Sequence, residues 1–189
     1  MKFVDVNPGN DPGCIDENDK TIIGNPNPDF YGNIFTRLSY KGVNLDVLCN
    51  YSVGNDIYNY YRQQLESGSN FYNQTVAMSN RWAVEGQQTD IPAIAYGDPV
   101  GNSRFSDRWI EDGSYFRVKS IKLSYDVPLN LNWLQGLTVW CAAENVYTFT
   151  DYKGMDPEFS VSNNVMYQGV DAGLLPQSRS FHLGVKVNL

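Results

Sequence analysis

The residues best suited to bind a metal ion lie near the start of the chain. The candidate ligands are five of the oxygen-bearing side chains there, at Asp5, Asn7, Asp11, Asp16 and Asp19. Carboxylate and amide oxygens are the ligands that calcium prefers, provided that they converge on one point. The sequence therefore leaves two alternatives for this loop, a calcium site and a solvated acidic loop without metal. No other cofactor is expected.

Few residues in this chain could carry enzyme chemistry. The only histidine, His182, lies within an alternating apolar and polar stretch, which leaves acyl transfer without a base and zinc without a ligand set. Glu111 and Asp112 could supply the paired carboxyl groups that glycoside hydrolysis needs. Neighbouring residues of a strand point to opposite faces, however, so these two carboxyl groups are separated. We therefore expect no enzyme activity.

Aromatic residues in a long polar stretch are the best candidates for ligand binding. Their flat rings can stack on sugar or peptide faces, and a few polar groups nearby would fix the orientation of the ligand. The candidates for substrate binding are Tyr60, Tyr61, Tyr72, Trp82 and Tyr96. The alternative is that these rings pack the long loops against each other.

Composition excludes several classes of partner and structure. Lysine and arginine number 14 against 21 aspartate and glutamate residues, a formal net charge of −7, so we expect no binding to nucleic acid. The three cysteines follow no metal-ligand spacing. No apolar run approaches the ~20 residues of a membrane-spanning helix, and the first residues lack the apolar core of a signal peptide.

Strands must position the candidate residues, because apolar and polar residues alternate along much of the chain. In residues 43–53 the odd-numbered positions are apolar and the even-numbered ones mostly polar, and residues 181–189 repeat the pattern. Between Tyr115 and Val127 the apolar set slips by one residue near Lys119, which predicts a β-bulge. Weaker alternation predicts strands over 30–41 and 137–150, and residues 71–85 predict a short helix.

The connections between these strands differ greatly in length. Residues 40–43 and 128–136 are short, whereas the segments 58–107 and 151–178 are long and rich in glycine, asparagine and proline. Transmembrane barrels have short turns at one end and long extracellular loops at the other. We therefore divide the chain into an extracellular loop (1–28), a strand hairpin (29–58), a long extracellular loop (59–107), a second hairpin (108–150), a third extracellular loop (151–178) and a closing strand (179–189).

Two stretches are the most specific signals in the sequence, residues 106–119 (SDRWIEDGSYFRVK) and residues 144–158 (ENVYTFTDYKGMDPE). Shorter ones are residues 23–30 (IGNPNPDF), 80–82 (NRW), 89–92 (TDIP) and 176–181 (PQSRSF). In type and order they resemble the C-terminal part of the TonB-linked outer-membrane transporters of the SusC/RagA type, which import glycans and peptides.

The resemblance implies an all-β fold, an antiparallel transmembrane β-barrel segment with long extracellular loops. Family barrels have about 22 strands and a plugged lumen, so this chain would supply about the last five. It also implies a place in the cell outer membrane, contact with its lipid, and import of oligosaccharides or peptides. The implied partners are a SusD-type surface lipoprotein and the TonB complex, the latter through an N-terminal part that this chain lacks. We therefore expect the chain to be a fragment.

Two features depart from the family pattern. Family barrels usually end on an aromatic residue, whereas this chain ends on Leu189, from which we expect less efficient assembly. A calcium-loop-like stretch of the family is interrupted here after Asn7, and Pro12 stands where an aspartate would.

The alternative to a barrel segment is a soluble β-sandwich that binds carbohydrate through its tyrosine-rich loops. A sandwich buries one face of each sheet against the other, so protein would cover the apolar positions of residues 43–53. In a barrel the same positions would face lipid. The surroundings of this apolar face distinguish the two folds.

Overall fold

The computed structural model describes residues 3–7, 12–129, 133–159 and 164–188. In chain order its strands are β1 (Phe30–Tyr40), β2 (Val43–Val53), β3 (Asp56–Asn59), β4 (Ile110–Asp112), β5 (Tyr115–Val127), β6 (Gly136–Thr150), β7 (Val170–Asp171) and β8 (Ser180–Asn188). Five of them form one antiparallel sheet in the order β1-β2-β5-β6-β8, and the other three form a small sheet in the order β4-β3-β7. The prediction of an antiparallel, mostly β fold is confirmed, and each strand predicted from alternation is present.

The large sheet has one apolar and one polar face. One row of paired residues crosses all its strands on the apolar face, in the order Leu38, Leu45, Leu123, Cys141 and Leu183. The adjacent row, on the opposite face, consists of Arg37, Asp46, Lys122, Ala142 and His182. Side chains at paired positions of neighbouring strands lie on the same face of the sheet. The register therefore aligns the apolar residues of all five strands on one face and the polar residues on the other.

The apolar face is open to solvent in the described structure. Leu38 is 61% exposed and Leu183 is 81% exposed. No second large sheet covers this face among the described residues, so the packing that a β-sandwich requires is not found there.

The predicted bulge is confirmed at Lys119. The pairing of β2 with β5 jumps from Leu48 opposite Ser120 to Cys49 opposite Val118, which leaves Lys119 as the extra residue. The register of β5 with β6 shifts at the same place, next to Asn145, whose φ is +50°. An extra residue in one strand bends the ladder and re-aims its side chain, here onto the polar face.

A tight turn joins β1 to β2 at the short-loop end of the sheet. Lys41 and Gly42 have φ of +46° and +83°, as in the two-residue hairpin turns whose twist matches that of the strands. A Cβ at Gly42 would lie 2.9 Å from the carbonyl oxygen of Asp126, so the position has no room for a side chain.

Helical structure is sparse and differs from the prediction. Residues 71–85 contain only a 3₁₀-helix at Val76–Asn80, so the helix predicted there is wrong in type and extent. The α-helix α1 (Tyr60–Glu66) lies earlier and begins where the side chain of Asn59 accepts the N–H of Arg62. Further 3₁₀-helices are Glu17–Asp19, Asp107–Trp109 and Val165–Tyr167. None of the helices in the described part of the chain is both long and apolar enough to span a membrane.

The long segments fold into a compact unit at the other end of the large sheet. We call β3, α1, β4 and β7, with the segments that connect them, the loop unit. Its buried side chains include Ile57, Met78, Trp109 and Tyr152. Trp109 is 1% exposed and its Nε1 donates to the Arg104 carbonyl at 3.0 Å. An indole buried with its N–H satisfied organises a small core, which explains how these polar segments fold.

Candidate functional site

The carboxylate of Glu111 in β4 lies at the centre of a buried polar network in the loop unit. Its Oε1 is 3.0 Å from Arg62 Nη1, and its Oε2 accepts the backbone N–H of Lys153 at 2.9 Å. The Arg62 guanidinium also donates to the carbonyl of Arg108 and lies 5.3 Å from the ring centroid of Trp109. The Glu111 side chain is only 9% exposed, so its ion pair with Arg62 is weakly screened by water.

A second buried contact of the loop unit joins Tyr152 to Asp171 in β7. The tyrosine hydroxyl donates to Asp171 Oδ2 at 2.6 Å, and both residues are buried. Burial, the hydrogen bond to Asp171 and the charge of that carboxylate all raise the pKa of Tyr152. The hydroxyl therefore remains protonated and acts as a donor.

Acidic residues of the segment after β6 dock onto cations on the polar face of the large sheet. The Arg117 side chain, only 3% exposed, forms an ion pair with Asp156 and lies 3.0 Å from Glu158 through Nη1. Lys119, the bulged residue, lies 3.1 Å from the same Glu158 carboxylate and donates to Gln177 Oε1 at 2.8 Å. We call this cluster of Arg117, Lys119, Asp156 and Glu158 the Arg117 clamp. It holds the segment after β6 over the polar face.

The same face forms a charged hollow of about 420 Å³ toward the short-loop end. Arg37 binds Asp46 through two hydrogen bonds, of 2.5 and 2.9 Å, and the Lys122 Nζ lies 5.1 Å from the ring centroid of Trp140. Trp140 belongs to the polar face, where it is paired with Ser124. Charged groups of both signs suit a water-filled or protein-filled space better than lipid.

The candidate binding aromatics lie on the loop unit but do not form one cluster. Tyr60 and Tyr61 begin α1 and are 41% and 37% exposed, and Trp82 is 43% exposed. The Tyr96 ring stacks on Phe71, with centroids 5.1 Å apart, and the adjacent Tyr72 is exposed. Within the described residues no ring pair joins two of the five candidates. Their role in binding remains a prediction.

The acidic loop near the start of the chain uses its carboxylates as acceptors of backbone N–H groups. Asp19 Oδ1 accepts from Val6 at 2.8 Å and from Asn7 at 3.1 Å, while Asp5 accepts from Gly13 at 2.8 Å. Asp16 caps the following 3₁₀-helix. The parts of this loop that are described bring no three acidic, cysteine or histidine side chains together, and Asp11 lies outside them. Calcium binding therefore remains a prediction.

Comparisons with known proteins identify the family. Scanned against models of protein families, the chain matches none. It is 35% identical over 183 residues to TonB-dependent receptor P3 of Formosa agariphila, and the aligned region covers 93% of this chain and 18% of that protein. It is 28% identical over 190 residues to TonB-dependent receptor SusC of Bacteroides thetaiotaomicron, and the aligned region covers 98% of this chain and 17% of SusC. Over more than 90% of its length this chain is homologous to TonB-dependent receptors, SusC among them. It spans less than a fifth of the length of these curated relatives.

Solved structures agree with this homology. The chain superposes on the RagAB peptide transporter with a TM-score of 0.77 and 26% identity, over 93% of this chain and 20% of that one. The RagAB peptide importer in its open-open state gives a TM-score of 0.72 and 26% identity, over 86% of this chain and 17% of that one. The relatives are receptors and transporters rather than enzymes, and TonB-dependent receptors are outer-membrane proteins.

Sequence reasoning missed the residues that hold the loop unit and the large sheet together. Arg117 stands at a polar position of an alternating strand, where any hydrophilic residue would fit the pattern. Glu111 was considered only as one of a pair with Asp112. Both residues lie within residues 106–119, the stretch that resembles the family most specifically, and that clustering was the available signal.

Proposed function

We propose that this chain is the C-terminal part of a TonB-dependent outer-membrane transporter of oligosaccharides or peptides. Its large sheet forms about the last five strands of a barrel of about 22, with the apolar face toward lipid and the polar face toward the lumen. The loop unit lies at the extracellular end and takes part in substrate recognition. Segments 1–28, 59–107 and 151–178 are the extracellular parts.

The observation that carries this proposal is the pair of opposite faces on an open antiparallel sheet. A row from Leu38 to Leu183 exposes apolar side chains on one side, while Arg37, Asp46 and Lys122 lie on the other. In water such a surface would either bind another protein or promote aggregation. In a lipid bilayer it is the surface that a barrel wall requires.

The partners follow from the same assignment. A surface lipoprotein of the SusD type would cap the extracellular end, and the TonB complex would act through a part of the transporter outside residues 1–189. The net charge of −7 gives no electrostatic attraction to nucleic acid.

Residues 1–189 expressed by themselves are expected to aggregate in buffer and to be dispersed by detergent. The apolar face is uncovered, and β1 and β8 each have one unpaired edge in the described sheet. Open edges and exposed apolar faces both promote association. Size-exclusion chromatography and thermal melting with and without detergent measure this. A soluble monomer with a sharp cooperative melt in buffer would favour the β-sandwich alternative instead.

Alanine substitution of Tyr60, Tyr61 or Trp82 in the whole transporter is expected to lower substrate uptake by about tenfold while leaving its amount in the membrane unchanged. Tyrosine and tryptophan are enriched among the few interface residues whose truncation costs ~2 kcal/mol or more, and a tenfold loss of affinity corresponds to about 1.4 kcal/mol. The matched control is Trp133→Ala, which removes an equally large ring, 67% exposed, at the other end of the sheet. If uptake falls equally for Trp133→Ala, or not at all for the loop variants, these rings only pack the loops.

A further inference from the structure

The two long segments of the loop unit are joined through one buried carboxylate. Arg62, which pairs with Glu111 Oε1, belongs to the segment between β2 and β5. Lys153, whose N–H binds Glu111 Oε2, belongs to the segment between β6 and β8. The Glu111 side chain is mostly shielded from water, so loss of its charge would leave the Arg62 guanidinium without its balancing anion. The single acceptor oxygen of a glutamine could not serve both Arg62 and the Lys153 N–H as the two carboxylate oxygens do.

Strand pairing and side-chain packing near this carboxylate also join the two long segments to each other. Strand β3 pairs with β7 in parallel, with Tyr58 opposite Val170 and Asn59 opposite Asp171. A Cβ at Gly173 would lie 2.7 Å from the Tyr61 ring, so α1 rests directly on the chain that follows β7. The segment that bears two candidate binding aromatics, Tyr60 and Tyr61, is therefore packed against the segment that the Arg117 clamp holds on the sheet.

We propose that segment 59–107 and the described parts of segment 151–178, residues 151–159 and 164–178, move as a single body and that the Glu111 carboxylate is the contact on which this coupling depends. The proposal rests on the proposed function, since it concerns the extracellular segments that receive the substrate. A ligand seated on Tyr60 or Tyr61 thereby also sets the position of Lys153 and of the chain that leads into the clamp. Glu111 is a positioning residue, because it acts through Arg62 and Lys153.

The test is limited proteolysis of the whole transporter in the membrane, with Glu111→Gln, followed by mass spectrometry of the fragments. We expect cleavage within 59–107 and within 151–178 to rise together, each by about tenfold or more, because local opening governs cutting of folded segments. The matched control is Asp112→Asn, which neutralises the neighbouring, exposed carboxylate and is expected to leave cleavage of both segments unchanged.

A second control separates coupling from simple loosening of one segment. Glu66 lies 4.0 Å from Arg62 Nε and accepts from Thr75 Oγ1 at 2.8 Å, so both of these partners are in the same long segment. Glu66→Gln is therefore expected to loosen the chain around Thr75 locally, without opening the single body, and to raise cleavage there alone. If Glu111→Gln also raises cleavage in only one segment, or in neither, the coupling proposal is overturned.

Hydrogen exchange of the unaltered transporter tests the same idea if Glu111→Gln does not assemble. The amide of Tyr58 binds the Gly169 carbonyl at 2.7 Å and that of Lys153 binds Glu111, so one opening event would expose both. Protection factors that agree within about threefold support the proposal, and a difference above about tenfold overturns it. Neither readout depends on which face of the sheet meets lipid, so the result is separate from the success or failure of the proposed function.

Discussion

Val47→Arg is expected to prevent assembly of the transporter in the outer membrane, whereas Asn44→Arg on the same strand is expected to be tolerated. Val47 lies on the apolar face near the middle of β2, paired with Thr36 and Ile121. An arginine on the lipid face near the bilayer midplane costs ~2–4 kcal/mol. Asn44 lies on the polar face, and its Nδ2 donates to Asp126 Oδ2 at 3.1 Å, so an arginine there gains an anionic partner.

The measurement is the amount of heat-modifiable, folded barrel in the outer membrane for each variant. Val47→Leu is the control for loss of the native side chain, since it keeps the position apolar. Asp46→Arg is a poorer comparison because it also breaks the paired hydrogen bonds with Arg37. Equal losses for Val47→Arg and Asn44→Arg would contradict the assignment of the two faces.

Arg117→Met is expected to release the segment after β6 from the polar face. Its guanidinium is almost fully buried against Asp156 and Glu158, and removal of one partner from a buried ion pair costs ~3–5 kcal/mol because the other charge remains without compensation. Asp156 would still accept hydrogen bonds from the N–H groups of Glu158 and Gln177, but it would lose the cation that balances its charge. Cleavage within residues 151–178 by an added protease measures the release.

Lys119→Met provides the matched comparison, because it removes a cation from the same strand and the same Glu158 carboxylate. Lys119 and Glu158 are 31% and 29% exposed, and a pair accessible to water contributes about 1 kcal/mol or less. We therefore expect much weaker release than for Arg117→Met. A similar release for both variants would mean that burial of Arg117 does not set the strength of the clamp.

The strands were predictable because their signal is local. Alternation along residues 43–53 marks the two faces of β2 without reference to any other strand, and the slip near Lys119 marks the bulge for the same reason. Turn chemistry at Lys41 and Gly42 likewise needs only neighbouring residues. The sequence missed α1 because this helix is too short to show a clear period and is stabilised by the Asn59 cap and by tertiary packing.

The family was also decided by the sequence, since the stretches 106–119 and 144–158 carry the resemblance that the comparisons confirm. The contacts of the loop unit were decided by the tertiary structure alone. Glu111 and Lys153 are 42 positions apart, and Arg117 and Asp156 are 39 apart. Lys153 and Asp156 lie in a segment without a periodic pattern, so no local signal marks them as partners. These groups meet because β2, β5 and β6 have ends that lie together at one end of the large sheet. Charged residues that are far apart in the sequence form buried pairs only in that arrangement.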